Sequence, residues 1–370
     1  MTAAEPWVVA VDVGGTKIAT GVVTRSGELL SRVVVPTRAA EGPEAIRERI
    51  AESIAEAIEG ATATTEAVAA AGEGQNGQAT GMARGHGQGD GRSSLAGQDG
   101  RGHGRRWQPR PAAIGLAAPG PMDTERGVAL AASNLGWYDL PVGPVLEERF
   151  GCPVYLENDA NAAALGEWLF GAGRGAVNLI YVTISTGIGS GLVIGGRLYR
   201  GKHFNAGEVG HMVLLADGPL CTCGQRGCWE ALASGTAIAR DARQIATAFP
   251  EGELYRRCGG DVTKIDVPLV AEVARAGDKL AREVLDQAIR YLGIGFSNLI
   301  NMFDPDVVVV GGGVSNLGEA LFGPLGEYVA RHTERRVKEP ARIVRAALGE
   351  NSGILGAAAV AWQELGDGRA

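Results

Sequence analysis

The stretch VVAVDVGGTKIATGVV, residues 8–23, has a counterpart in LIYVTISTGIGSGLVI, residues 179–194. In both stretches a run of apolar residues leads into a short turn rich in glycine and hydroxyl residues, and a second apolar run follows. This pattern predicts a strand, a tight turn and a returning strand. Because the pattern occurs in both halves of the chain, the sequence indicates an internal duplication, with two unrelated hairpins as the alternative.

The first of these turns has the composition of an anion-binding site. Gly14 and Gly15 leave backbone N–H groups accessible without a Cβ, and the Thr16 hydroxyl adds a donor. Asp12 lies just before the turn and is a suitable oxygen ligand for Mg²⁺. The turn lacks the spacing of a P-loop, and a plain hairpin turn is the alternative interpretation. Two such turns, one from each half, are suited to hold a polyphosphate from both sides of a cleft.

Between the repeats lies LENDANAAALGEWLFG, residues 156–171, in which three polar residues separate a β-type run from a helical pattern. Asn158 or Asp159 at such a junction can cap the helix, because a short side-chain oxygen accepts the first N–H groups. An aspartate at a strand end, beside an asparagine, is also suited to act as a base toward a substrate hydroxyl. The triplet alone favours the cap, and the rest of the chain favours the base.

Three cysteines and a histidine form the most specific single motif. Cys221, Cys223 and Cys228 are close in sequence, and His211 precedes them. A Cys₃His set is a common composition of structural zinc sites, and four protein ligands leave no open position for catalysis. His203 is an alternative fourth ligand, and three free cysteines in a loop are the alternative interpretation.

Length and charge set the broad class of the protein. The chain has 370 residues, which is enough for two domains with a core each. Its net charge is −7 and its pI is about 5.4, and no basic stretch indicates nucleic-acid binding. We find no signal peptide and no run of about 18 apolar residues. We therefore expect a cytoplasmic protein with no membrane-spanning helix.

The composition changes sharply after residue 59. Isoleucines recur every four residues from Ile46 to Ile58, which predicts a helix over residues 44–59. Residues 60–110 are mainly Gly, Ala, Gln, Arg and Ser, with too few apolar side chains to offset the entropy of ordering. We therefore expect residues 60–110 to be a disordered surface insertion.

The last third of the chain is predicted to be mainly helical, with one further glycine turn. A strand over residues 306–310 precedes Gly311, Gly312 and Gly313, and such a run lets a base or ribose approach closely. A simple sharp turn is the alternative. The other elements predicted here are helices over residues 267–276, 279–302 and 353–365 and a strand over 342–345.

Taken together, the motifs resemble those of the ROK family (repressors, uncharacterised reading frames and sugar kinases), and most closely those of its bacterial glucokinases. The resemblance covers nearly the whole chain except residues 60–110. The motifs that carry it are DVGGTK at 12–17, ENDAN at 157–161, ISTGIGSGLVIGGRLYRGKHFNAGEVGH at 184–211, CTCGQRGCWE at 221–230 and GGGVS at 311–315.

The resemblance implies an actin-like ATPase fold of the ribonuclease H-like type, in which two α/β domains with mixed sheets enclose a cleft. We expect the smaller domain to comprise residues 1–132 and 353–370. Residues 133–352 would form the larger domain, with a zinc-bearing loop at 211–228. The resemblance also implies a homodimer or a higher homo-oligomer.

The resemblance further implies an ATP-dependent hexose kinase of glycolysis that uses Mg²⁺ with ATP and a structural Zn²⁺. Asp159 would be the general base that takes the proton from the 6-hydroxyl of glucose. His211 would bind zinc with one ring nitrogen and face the sugar with the other. The residues implied to bind the sugar are Asn158, Glu208, His211, Glu230, Asn134 and Gly120. Those implied to bind ATP are Asp12, Gly14, Gly15, Thr16, Lys17, Thr186, Gly187, Gly189, Gly312 and Gly313, and those implied to bind zinc are His211, Cys221, Cys223 and Cys228.

Other functions are compatible with these motifs. A kinase for N-acetylmannosamine, fructose, mannose or allose would differ from a glucokinase in one or two pocket residues. A sugar-sensing repressor of the family carries a DNA-binding helix-turn-helix before the kinase-like part, for which a first strand beginning at Trp7 leaves no room. An actin-like ATPase without a sugar substrate does not account for the cysteine-rich motif. The phosphoryl donor could be ATP or polyphosphate.

Overall fold

The computed structural model describes residues 5–75, 110–333 and 341–366. The strands in these ranges are β1 (Trp7–Val13), β2 (Lys17–Thr24), β3 (Leu29–Pro36), β4 (Ile114–Ala118), β5 (Met122–Asp123), β6 (Val128–Ala132), β7 (Trp137–Leu140), β8 (Val154–Asn158), β9 (Leu179–Ile184), β10 (Ile188–Ile194), β11 (Arg197–Leu198), β12 (Val307–Gly311) and β13 (Arg342–Arg345). The helices are α1 (Pro43–Gln75), α2 (Val142–Phe150), α3 (Asp159–Leu169), α4 (Trp229–Ala233), α5 (Gly235–Ala248), α6 (Glu253–Arg257), α7 (Val267–Arg275), α8 (Lys279–Phe303), α9 (Glu319–His332) and α10 (Ser352–Gly366).

Two five-stranded sheets share one topology. The first has the order β3-β2-β1-β4-β8, and the second has the order β11-β10-β9-β12-β13. In each sheet the first three strands are antiparallel neighbours, and the last two continue the sheet in parallel. Both sheets are therefore mixed, as expected. The repeated order and direction also support the internal duplication that the two hairpins indicate.

The parallel strands of the first sheet bring three predicted site segments to one edge. Asp12 of β1 pairs with Ala117 of β4, and Ala118 pairs with Asn158 of β8. Because the carboxyl ends of parallel strands meet at the same edge, Asp12, the loop after β4 and the start of α3 become neighbours. The buried strands β1 and β4 hold this edge in place, since nearly all of their side chains are inaccessible to solvent.

Two helices lie between the sheets and pack on each other. α3 follows β8 of the first sheet and packs mainly on β9 and β10 of the second, whereas α10 follows β13 of the second sheet and packs on β1 and β4 of the first. The contact consists of small residues. A Cβ added to Gly356 would lie 2.7 Å from the carbonyl carbon of Ala162, and one added to Gly115 would lie 1.9 Å from the carbonyl oxygen of Ala357. The two helices and β4 therefore approach one another by their backbones.

The outer faces of both sheets are also covered. On the first sheet, Ile46, Ile50 and Ile54 of α1 are fully buried, which confirms the predicted face of that helix. On the second sheet, helices α4, α5 and α7–α9 form a larger core in which Trp229 meets Phe296 edge to face, with ring centroids 5.3 Å apart. None of the helices in the described ranges is long and apolar enough to cross a membrane.

The predicted start of the insertion is wrong. α1 continues past residue 59 to Gln75, so residues 60–75 are helical where disorder was expected. Alanine and glutamate recur through this part of the chain, and both have high helix propensity, which sustains a helix without an apolar face. The remainder of the predicted insertion, residues 76–109, lies outside the described residues.

Strand pairing argues against the predicted domain boundary between residues 132 and 133. β7 pairs with β6 in a small three-stranded sheet, β5-β6-β7, and β8 pairs with β4 in the first large sheet. A boundary before β7 would cut both sheets. The division into domains stays a proposal, and these pairings favour a boundary after β8 with α10 assigned to the first part.

The helix contact gives a prediction in which two equivalent substitutions have opposite effects. Gly326 lies in α9 with no other heavy atom within 4 Å of an added Cβ, whereas an added Cβ on Gly356 meets the backbone of α3. Replacing a helical glycine by alanine in open space stabilises a protein by roughly 0.5–1 kcal/mol, whereas overpacking costs about 1–3 kcal/mol. We expect Gly326→Ala to raise the melting temperature and Gly356→Ala to lower it in parallel thermal scans. An equal rise for both variants would contradict the close contact of α3 with α10.

Candidate active site

The start of α3 combines a helix cap with a candidate base. The Asn158 side-chain oxygen accepts from the backbone N–H groups of Ala160 and Asn161 at 2.9 and 3.3 Å, so it caps the helix. The amide nitrogen of the same side chain donates to Gly120 O at 3.3 Å. Asn158 therefore ties the helix start to the loop after β4, and the predicted cap and the predicted site residue are the same side chain.

Asp159 is the first residue of α3. Its side chain is open to solvent in part, although protein atoms surround it on most sides. This enclosure raises the pKa of its carboxyl above the usual aspartate range, and hydrogen bonds from the Ala160 N–H and the Asn158 side chain oppose the rise. A carboxylate that is accessible and has a raised pKa is a stronger base than an ordinary surface aspartate.

Asp12 forms a second carboxyl group beside Asp159. Burial raises the pKa of Asp12 to about 6, the negative charge of Asp159 adds to the rise, and Lys17 opposes it. The first turn of α10 packs against this side chain, since a Cβ added to Gly353 would lie 2.1 Å from Asp12 Oδ2. No local pattern in the sequence indicates this contact with Gly353, because α10 lies more than 300 residues further along the chain. Two neighbouring carboxyl groups at an open edge are suited to bind a divalent cation and a hydroxyl group.

The tip of the first hairpin is exposed next to this pair. Gly15, Thr16 and Lys17 are all accessible to solvent, and the Gly14 N–H donates to Lys17 O at 2.9 Å to close the turn. Asn134, in the loop between β6 and β7, lies against the tip, because an added Cβ on Gly15 would be 3.4 Å from its Nδ2 atom. The predicted ATP-binding tip and the predicted sugar-binding Asn134 are therefore neighbours.

The tip of the second hairpin is also closed by a backbone hydrogen bond. The Ser185 N–H donates to Gly187 O at 2.9 Å, and Thr186 is exposed. Gly312, after β12, lies against the end of β9, since an added Cβ would be 2.3 Å from Ile184 O. Gly313 is exposed, with no other heavy atom within 4 Å of an added Cβ. The predicted glycine turns of the second half thus lie side by side.

Strand β10 lies beside the helix of the candidate base Asp159 and also contacts the Glu230 carboxylate. Gly189 lies near the start of β10, and a Cβ added to it would be 3.5 Å from the Ala160 side chain. This distance places β10 beside the start of α3. The Ile188 N–H donates to Glu230 Oε2 at 3.0 Å, and an added Cβ on Gly187 would lie 2.2 Å from the same oxygen. Glu230 therefore lies against the second hairpin, which fixes the position of its carboxylate.

Four side chains have the geometry of a zinc site. The ligand atoms of His211, Cys221, Cys223 and Cys228 all lie within 4.8 Å of one another. The distance from Cys221 Sγ to His211 Nδ1 is 3.6 Å, and that from Cys223 Sγ to Cys228 Sγ is also 3.6 Å. Tetrahedral Zn²⁺ with bonds of about 2.0–2.3 Å requires ligand separations of roughly 3.5–3.8 Å. The donor set and its spacing therefore fit zinc, and the alternative ligand His203 is not part of the cluster.

His211 has its two ring nitrogens on different sides. Nδ1 faces Cys221, whereas Nε2 lies 3.9 Å from Glu208 Oε2. The glutamate is about half exposed. With Nδ1 directed at the cysteines, Nε2 and Glu208 are directed away from them, which agrees with the two roles that the sequence motif implies for His211.

An ion-pair network behind the site was not recognised in the sequence. Arg200 lies between Glu157 and Glu364, and all three side chains are mostly buried. The three residues come from β8, from the loop after β11 and from α10, so no local spacing reveals that they meet. The only indication is an arginine within a glycine-rich stretch, where a solvated side chain is the ordinary expectation.

Comparison with solved structures identifies the class of fold. A ROK hexokinase from Thermus thermophilus is 39% identical, with a TM-score of 0.74, and the match covers 98% of this chain and 100% of that chain. A ROK family glucokinase from Streptomyces griseus, in complex with glucose and AMPPNP, is 36% identical, with a TM-score of 0.70 and coverage of 96% and 99%. The chain therefore has the actin-like ATPase fold of these kinases, as the sequence motifs predict.

Sequence relatives identify the family. The ROK family matches residues 105–364. A protein named glucokinase from Thermotoga maritima is 33% identical over 97% of this chain and 98% of its own length. The chain belongs to the ROK family.

The raised pKa of Asp12 predicts a stability that depends on pH. The folded state holds this proton more tightly than the unfolded state, so folding stability falls as the pH rises from about 4 to about 6. A rise in pKa from 3.8 to about 6 corresponds to a loss of at most roughly 3 kcal/mol of folding free energy at pH values above this window. We therefore expect Asp12→Asn to be more stable than the unsubstituted protein above pH 6 and equal to it below pH 4, in chelator and without nucleotide.

Asp261 provides a control of opposite sign for these melting curves. Hydrogen bonds from the Thr263 hydroxyl and N–H lower the pKa of this exposed aspartate. Its contribution to stability is therefore present at neutral pH and lost as the solution becomes more acidic. Asp261→Asn should be less stable than the unsubstituted protein at neutral pH. A loss of stability in Asp12→Asn at neutral pH would contradict the enclosed carboxyl pair.

Proposed function

We propose that this protein is an ATP-dependent glucokinase that phosphorylates the 6-hydroxyl of glucose. The observation that carries the proposal is the accessible Asp159 carboxylate, which has a raised pKa and lies beside the carboxyl of Asp12. The relative from Thermotoga maritima is named glucokinase, and the similar Streptomyces griseus structure contains glucose together with AMPPNP, an analogue of ATP. Kinases for other hexoses are the alternative within the same mechanism.

Asp159 has the properties of a general base in this reaction. Its raised pKa brings it nearer to neutral pH, so the carboxylate can accept a proton while the sugar oxygen attacks the phosphorus. Phosphoryl transfer depends mainly on in-line positioning and on neutralisation of phosphate charge. We assign the positioning of the sugar to Asn158, Glu208, His211 and Glu230, with Asn134 and the Gly120 loop as further contacts.

The phosphates belong at the hairpin tips. The Gly15 N–H and the hydroxyls of Thr16 and Thr186 are accessible donors there, and Lys17 adds a positive charge. The Gly14 N–H closes the turn, and Gly14 contributes by letting the phosphates approach without a Cβ. Gly187, Gly189, Gly312 and Gly313 leave room for the rest of the nucleotide. Asp12 would hold Mg²⁺, which supplies positive charge to the phosphates when it is bound.

The zinc ligands have a structural role in this proposal. His211, Cys221, Cys223 and Cys228 would hold Zn²⁺, which supplies a fixed anchor for four side chains when it is bound. His211 then has one orientation, and its free nitrogen is set relative to Glu208. The segment that begins at Cys228 leads directly into α4, which carries Glu230.

ADP release by the purified protein with Mg-ATP tests the proposal. Glucose, mannose, fructose, allose and N-acetylmannosamine are compared, with Asp159→Asn as the control. The asparagine keeps an oxygen that can accept from Ala160 N–H, so the fold is retained while the base is lost. We expect the highest kcat/KM with glucose and a fall in turnover of about 10²–10⁴-fold in Asp159→Asn, with ATP still bound.

The other outcomes separate the parts of the proposal. A higher kcat/KM with a different hexose would leave the proposed mechanism in place and change the proposed substrate. Near-normal turnover in Asp159→Asn would remove the base assignment. No ADP release with any sugar, together with a sugar-dependent rise in melting temperature, would contradict the kinase function and favour a sugar sensor.

Loss of one zinc ligand should weaken sugar binding. Cys223 is an exposed member of the cluster, whereas Cys152 is a half-buried thiol outside it. We expect Cys223→Ser to lose most of its zinc and to raise the KM for glucose by roughly 10-fold, because His211 loses its fixed orientation. Cys152→Ser should retain both the metal and the KM. Full zinc content and an unchanged KM in Cys223→Ser would refute this role.

Three further expectations accompany this proposal. A homodimer or higher homo-oligomer predicts a mass of at least two chains in light scattering. The cytoplasmic location and the place in glycolysis follow from the proposed activity.

A further inference from the structure

Arg200 joins three segments that are far apart in the sequence. Its Nε donates to Glu157 Oε2 at 2.6 Å, and its Nη2 donates to Glu364 Oε1 at 2.8 Å. Glu157 lies in β8, directly before the Asn158–Asp159 turn, and Glu364 lies in α10. Arg200 follows β11 of the second sheet. The guanidinium therefore connects the second sheet with both a strand and a helix that belong to the first.

The Glu157 carboxylate is shared between Arg200 and the start of α3. One of its oxygens accepts from Arg200, and the other accepts from Asn158 N and Asn161 Nδ2, both at 3.0 Å. The side chain is almost fully buried, so these groups replace the water that a carboxylate would otherwise bind. Any displacement of Arg200 thus acts on the residue that precedes Asp159.

On its other side, Arg200 begins the loop that leads to Glu208. The Arg200 carbonyl accepts from Ala206 N at 3.1 Å, and Ser190 Oγ donates to Gly207 O at 2.6 Å. The loop between Arg200 and Gly207 is therefore closed on itself and fixed to β10. Glu208 follows at once, and the 3-10 turn Val209–His211 comes next. The position of the two candidate sugar-binding side chains depends on where this loop is held.

We propose that Arg200 is a positioning residue for phosphoryl transfer, which sets the loop carrying Glu208 and His211 in register with the strand end that presents Asp159. This inference rests on the proposed sugar kinase function. Within the described part of the chain, the Arg200 side chain bonds to Glu157 and Glu364 and to neither hairpin tip, so we expect its effect to be specific to the sugar side of the site and to alignment of the base.

The charges of Arg200, Glu157 and Glu364 explain why loss of the arginine should disturb the site. One guanidinium pairs with two buried carboxylates, and both lose their partner when it is removed. An unpaired buried carboxylate is strongly unfavourable, so Glu157 and Glu364 would move apart or take up water. A displacement of about 1 Å at a reacting group can cost roughly 100-fold in rate.

The test compares Arg200→Gln with a structural arginine elsewhere. Arg243 donates to Ile265 O at 2.8 Å in the helical part of the second half and contacts none of the site residues. Arg243→Gln should lower the melting temperature and leave the kinetics unchanged. For Arg200→Gln we expect a KM for glucose raised about 10-fold or more and a kcat lowered about 10–100-fold, with the KM for ATP within about twofold of normal.

Two conservative variants guard against a simple folding failure. Arg200→Lys keeps the charge but cannot span both carboxylates, so it should restore part of the activity. Glu364→Gln removes one carboxylate charge from α10, far in sequence from the sugar loop, and should shift the KM for glucose in the same direction by a smaller factor.

Hydrogen exchange provides a readout apart from activity: residues 201–208 should exchange faster in Arg200→Gln, whereas the first hairpin should not change.

The outcomes distinguish this inference from the proposed function. If the unsubstituted protein releases ADP with a sugar and Arg200→Gln and Glu364→Gln lose only thermal stability, as Arg243→Gln does, the positioning role is overturned and the kinase function stands. If the unsubstituted protein releases no ADP with any sugar, the kinase function fails and the positioning role fails with it.

Discussion

The structure depends on an exchange of two helices between two sheets. α3 continues from the first sheet and packs on the second, and α10 continues from the second sheet and packs on the first. Alanine and glycine at their contact allow the backbones to touch, so the helices share one buried cluster with strands of both sheets. Because each sheet takes its inner helix from the other half, neither half buries its apolar face alone.

The same exchange organises the candidate site. Asp159 is the first residue of α3, and Asp12 lies against the first turn of α10, so each acidic side chain is close to the start of one exchanged helix. The amino end of a helix carries partial positive charge, which favours a carboxylate nearby. This offsets part of the repulsion between the two acids while burial keeps their pKa values high. The duplicated fold thus places one carboxyl group beside the start of each exchanged helix.

The sequence predicted most of the elements that form the site edge, because local patterns encode them. Alternation of apolar runs with glycine turns located β1, β2, β9 and β10, and the isoleucine period located the buried face of α1. The end of α1 was missed because the disorder prediction for residues 60–75 rests on their lack of apolar side chains and takes no account of helix propensity. The pairings of β7 with β6 and of β8 with β4, which argue against a boundary after residue 132, are non-local and leave no sign in the local sequence. Arg200 and Gly353 were missed for the same reason, since each acquires its role from residues brought close only by the fold.

The position of α10 in the chain has a consequence for biosynthesis. The ribosome produces the first sheet early, but α10, which covers the inner face of that sheet, is translated more than 200 residues after β4. Until then Val8, Ala10 and Ala117 form an uncovered apolar surface on the nascent chain. The first half therefore cannot complete its core before α10 has been synthesised. It passes through an aggregation-prone interval that chaperone binding would protect, and it becomes native only when α10 has left the exit tunnel.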